Sequence, residues 1–67
     1  MKRYFGIASK TNFDGVLFSA GSLEECVEYA QNCEYTIEEY EICLFNEDSQ
    51  GEWIVEKTFT LDGEQTS

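Results

Sequence analysis

Fourteen carboxylates and not one histidine set the chemistry open to this 67-residue chain. Histidine is the commonest general base and the usual partner of a serine or cysteine nucleophile, so both roles lack their ordinary actor. A carboxylate pair can act as acid and base only where burial drives one pKa up, and so small a domain offers little cleft for that. Serines and cysteines are present without a nucleophile motif around them. The residues point to a protein that binds rather than catalyses, with no cofactor.

Metal chemistry finds no better footing. Cys26, Cys33 and Cys43 make an odd count without a C-x₂-C knuckle, and a fourth strong ligand is lacking. Cys26 and Cys33 read as small buried apolar residues, and Cys43 as an exposed free thiol. The stretch Asn46-Glu47-Asp48-Ser49-Gln50-Gly51 places oxygen donors at positions one, three and five of a calcium loop, with glycine at six. Position twelve, where a bidentate glutamate belongs, is Lys57. It reads as an acidic hairpin loop.

What remains is the acidic surface itself. The net charge is −10, and all four cations are Lys2, Arg3, Lys10 and Lys57. Between Thr11 and Glu56 there are twelve acidic residues and no Lys or Arg. Mixed signs at helical spacing stabilise a surface by a few tenths of a kcal/mol per pair, and this stretch forgoes that. Solubility alone is served by a net charge of magnitude about 2–8. The candidate partner-binding residues are Glu24, Glu25, Glu28, Glu34, Glu38, Glu39 and Glu41, with Tyr29 and Tyr35 among them. Glu24 and Glu28 fall one helical turn apart, about 6 Å along the axis. Glu39 and Glu41 are expected on one face of a strand at roughly 6.7 Å. Carboxylates so spaced imitate backbone phosphates and attract a Lys/Arg-rich surface, while tyrosines supply amphipathic anchors. The same charge repels nucleic acid, so the expected partner is a basic protein.

These residues need elements to hold them. Lys2–Ser9 reads as a strand, Lys10–Gly15 as a hairpin turn carrying the Asp-Gly signal, and Val16–Ala20 as a second strand. Ser22-Leu23-Glu24-Glu25 is a capping box, which starts a helix ending near Cys33. Leu23, Cys26, Val27, Ala30 and Cys33 form its buried stripe. A third strand is expected from about Thr36 to Phe45 and a fourth from Glu52 to Leu61, with Asp62–Ser67 a loose tail. The sum is one α+β domain over 1–61, ββαββ, a four-stranded largely antiparallel sheet with one helix on one face. The other face is expected to be open to solvent, to a partner, or to a second copy in a homodimer.

Ten aromatics strengthen a core that 67 residues otherwise make modest. No apolar run reaches the roughly 20 residues of a membrane span. The start, Met1–Ala8, lacks the apolar stretch of a secretory signal. With the odd cysteine count, the expected compartment is the cytoplasm, or the host cytoplasm for a phage-encoded chain.

In size, acidity and ββαββ order the chain resembles small phage-encoded inhibitors of bacterial defence, the anti-CRISPR and anti-restriction proteins. The Ser22–Cys33 helix between two hairpins and the cation-free stretch Thr11–Glu56 carry that likeness. It implies a DNA-mimic-like inhibitor docking on a nucleic-acid-binding surface. The alternative is a small assembly domain that self-associates through its uncovered sheet face.

Overall fold

The computed structural model describes residues 3–11 and 15–66. Asn12, Phe13 and Asp14, the heart of the expected first turn, lie outside the described residues, as do Met1, Lys2 and Ser67. The elements are β1 (Arg3–Ser9), β2 (Phe18–Ala20), α1 (Leu23–Asn32), β3 (Tyr40–Glu47) and β4 (Trp53–Phe59). The four strands form one antiparallel sheet in the order β2-β1-β3-β4. The fold is therefore the α+β, ββαββ arrangement expected from the sequence.

Alternation along the strands sorts the side chains into two layers. Phe5 and Ile7 of β1, Ile42 and Leu44 of β3, and Phe59 of β4 share the face under the helix, because Phe5↔Leu44, Ile7↔Ile42 and Ile42↔Phe59 are directly opposed. Ile7, Cys26, Ala30, Ile42, Leu44, Phe59 and Leu61 make the buried core. Cys26 and Ala30 are the helix residues that reach deepest. Their small side chains let the helix axis sit close to the sheet, and larger Leu23 and Val27 fill the margins.

Both helix ends are chemically stopped. Ser22 lies in extended conformation, and its Oγ accepts the Glu25 N–H at 3.3 Å, the expected N-cap bond. At the other end the chain reverses through a Schellman motif. Tyr35 N–H donates to the Ala30 carbonyl (3.1 Å) and Glu34 N–H to the Gln31 carbonyl (3.3 Å). Glu34 takes the left-handed conformation this requires, φ 57°.

Three expectations are corrected. Cys33 is exposed and Cys43 buried, the reverse of the sequence reading. Cys33 is the C-cap, already past the last turn that lies on the sheet, whereas Cys43 sits mid-strand between Gly6 and Thr58. β3 starts at Tyr40 rather than Thr36, because Glu39 N–H and Tyr40 N–H both turn back to the Thr36 carbonyl. The face away from the helix is not bare at its centre: Ala8, Cys43 and Phe45 there are buried. Gly6 explains part of this cover. A Cβ on it would lie 2.6 Å from Val16 Cγ1 and 3.1 Å from Phe45 Cε2, so only glycine admits Val16 against the sheet.

The last strand ends at Phe59 rather than Leu61, and residues 62–66, expected as tail, fold back on it. Thr66 N–H donates to the Thr58 carbonyl and Thr60 N–H to the Glu64 carbonyl, both at 2.8 Å. Thr60 Oγ1 accepts the Asp62 and Glu64 amides, which closes the turn and holds Leu61 in the core.

Candidate protein-docking surface

The helix presents Glu24, Glu25 and Glu28 to solvent as its inner stripe requires. Glu24 and Glu25 occupy the first turn, where a carboxylate complements the partial positive charge of the unpaired amides. Glu28 lies beyond that turn, four residues from Glu24 and three from Glu25, in range of like-charge repulsion from both. Two grooves flank it. One, of about 480 Å³, is lined by apolar Leu23 and Val27 and by the carboxylates of Glu24, Glu28 and Asp62. The other, of about 250 Å³, is lined by Phe18, Tyr29, Glu25 and Glu28. Apolar walls with carboxylates beside them suit a lysine or arginine, whose stem is apolar and whose head is charged.

Glu34, Glu38 and Glu39 are exposed in the connection 33–39 that leaves the helix C-terminus. That end carries partial negative charge, and its last turn holds no basic residue. Glu34 meets this unfavourable field in a left-handed backbone that glycine or asparagine would adopt at less cost. Glu39 belongs to the turn, its carbonyl accepting the Lys10 N–H at 2.8 Å. Glu41 stands directly across from Ala8, half-buried on the sheet face away from the helix. The strand pair expected from Glu39 and Glu41 is therefore not formed, and Glu41 is separated from the helix carboxylates by the sheet.

Tyr29 and Tyr35 serve the fold as well as the surface. Phe18 stacks on Tyr29 at 3.9 Å between ring centroids, and Tyr29–Tyr35 and Tyr35–Tyr40 follow at 6.2 and 4.8 Å. This half-buried aromatic row ties β2, the helix end and the start of β3 together. The Tyr29 pKa is raised, first by a side-chain hydrogen bond with Cys33 and then by the charges of Cys33 and Tyr35. Burial pushes the Cys26 and Cys43 thiols up to about 11, with Glu25 and Glu41 respectively adding to the shift.

No protein-family model, curated protein or solved structure matches this chain.

The loop that imitates a calcium site is used otherwise. Asp48 Oδ1 accepts the Gln50 and Glu52 amides at 2.9 Å each, so this carboxylate closes the turn between β3 and β4. Asn46 is held inside the sheet, opposite Arg3 and Ile54. Sequence reading missed two features near the array. Asp62 joins the helix groove only because the C-terminal turn folds back, which no local pattern announces. The left-handed Glu34 was hidden because the usual glycine signal is absent.

Among the described residues no helix is long and apolar enough to cross a membrane.

Proposed function

We propose that this chain is a non-enzymatic docking module whose helix and 33–39 connection engage a basic protein surface. The reading favoured here is an inhibitor that occupies the nucleic-acid-binding surface of its partner, as a DNA mimic would. The observation that carries it is where the carboxylates stand. Glu24 and Glu25 have a local reason to be acidic, but Glu28, Glu34, Glu38 and Glu39 do not. Glu28 is placed among like charges, and Glu34 combines the wrong end of the helix dipole with a left-handed backbone. Residues that oppose the stability of their own element are best explained by a demand made elsewhere.

A partner's lysine or arginine would lay its stem along Leu23 and Val27 and bring its head to Glu24, Glu28 or Asp62. Such contacts steer encounter and lose strength as salt rises. The test is capture of a partner on the immobilised chain at low salt, followed by elution with duplex DNA. A DNA-competitive, salt-sensitive partner is expected. A partner that stays bound through both excess DNA and high salt would contradict the reading.

A further inference from the structure

β4 is an edge strand, and its outer side is only partly used. β3 pairs with its inner side from Trp53 to Phe59. On the outer side the C-terminal turn occupies Thr58 and Phe59, through the Thr66 amide and the Phe59↔Gln65 bridge. Among the described residues nothing pairs with the outer side from Trp53 to Lys57. Three consecutive apolar residues stand there, Trp53, Ile54 and Val55, at 42%, 49% and 49% exposure.

Native sheets usually blunt such an edge with a bulge or a lysine. Both devices are present but misplaced for that purpose. The register shift and Lys57 fall at the far end of the open stretch and leave Trp53–Val55 uncovered. The aromatic side is built in advance. Tyr4 stacks on Phe45 and meets Trp53 edge-on, each at 4.9 Å between centroids, on the face away from the helix. Rings already fixed by packing lose little freedom when a partner arrives. On the opposite face Ile54 borders a hollow of about 420 Å³ shared with Glu47 and Asp48.

We infer that the outer edge of β4 at Trp53–Val55 accepts an extended, lysine- or arginine-bearing segment of another protein as a fifth strand. The open amides and carbonyls supply backbone pairing, and Trp53 with Tyr4 supplies the apolar seat. Charge selects the occupant. Glu52 and Glu56 bracket the three apolar residues, so an antiparallel segment carrying basic, apolar, any, apolar, basic residues meets both carboxylates. Arg3 already pairs with Glu56 at 3.2 Å, which makes Glu52 and the Glu47–Asp48 hollow the stronger pole. A second copy of the chain is the poorer occupant, because it would bring another charge of −10 to the same edge. This edge is distinct from the helix carboxylates, so the inference does not depend on them.

The test titrates the ¹⁵N-labelled full chain with a capped pentapeptide, Lys-Val-Thr-Val-Lys, following amide shifts and Trp53 emission. Its counterparts are Glu-Val-Thr-Val-Glu and Lys-Val-Pro-Val-Lys, which reverse the charge and remove a backbone donor. Shifts over residues 52–57, with binding at least tenfold weaker for either counterpart and for Val55→Lys, are expected. Circular dichroism confirms that the variant keeps its sheet. Shifts confined to residues 24–28 would overturn this inference while leaving the helix docking surface standing. No shifts at all, equal binding of the acidic peptide, or a peptide-free dimer through β4 would also overturn it.

Discussion

Replacing Glu34 with glycine should make the protein more stable, although it deletes a side chain from an exposed surface. Glu34 is the left-handed residue of the Schellman motif, φ 57°, with its amide bonded to Gln31 and the next amide to Ala30. A non-glycine residue in this conformation costs roughly 1–2 kcal/mol. Glycine removes that cost but gives the unfolded chain extra freedom worth about 0.4–1 kcal/mol. The balance is a gain of roughly 0.5–1 kcal/mol, or about 3–6 °C in Tm for a domain of this size. Glu34→Gln separates charge from backbone: it relieves only the repulsion at the helix C-terminus, about 0.3 kcal/mol at low salt. Glu34→Val should fall below the parent, because a branched Cβ crowds the left-handed backbone further. Urea unfolding followed by circular dichroism reads all three. If Glu34→Gly unfolds at lower urea than Glu34→Gln, the C-terminal motif and the claim that Glu34 opposes its own element are both refuted.

Other outcomes follow from the packing. Gly6→Ala should destabilise by about 1–3 kcal/mol, since the new methyl must displace Val16 or Phe45; an unchanged urea midpoint would mean Val16 does not lie there. Ser22→Ala should lose about 1 kcal/mol with the cap bond to Glu25, measured by thermal unfolding. A thiol reagent should label Cys33 rapidly in the native protein and Cys26 and Cys43 only on unfolding. Because the folded Cys26 and Cys43 thiols titrate near 11 rather than 9, the native state holds protons that the unfolded state has released. Stability should accordingly be full below about pH 9 and fall as pH rises through 11, and less steeply in Cys43→Ala than in the parent.

The parts of the fold set by near neighbours were legible in the sequence. Ser22 and Glu25 are three residues apart and make their bond within one turn, so the helix start could be read without the sheet. The strands declared themselves by alternation, which is also local. Burial of the cysteines was not legible, because it depends on where the helix stops and on how the far sheet face is covered. Cys33 keeps the helical spacing of Cys26 and Ala30 yet is the C-cap, one residue past the end of the helix, and is exposed. The turn at Thr36–Glu39 was read as strand because it lacks glycine and proline, and because Glu39 and Glu41 keep the two-residue spacing of one strand face. Among the candidate carboxylates, Glu24, Glu25 and Glu28 were correctly placed on the exposed arc of the helix. Glu41 could not be separated from them without knowing which sheet face it takes, and Asp62 could not be added without the returning turn.

Paired salt titrations separate docking on the helix carboxylates from a response to total charge. The dissociation constant of the DNA-competitive partner is measured against Glu24→Gln/Glu28→Gln and against a control of matched net charge, Gln50→Lys/Glu64→Gln, over a range of salt. Both doubles change the total charge by two, at exposed positions. The helix double should bind at least tenfold more weakly than the control at low salt, with a shallower salt dependence, and the two should converge as salt rises. Equal affinities for the two doubles across the range would show that the partner senses only total charge, and that the helix carboxylates are not its docking surface.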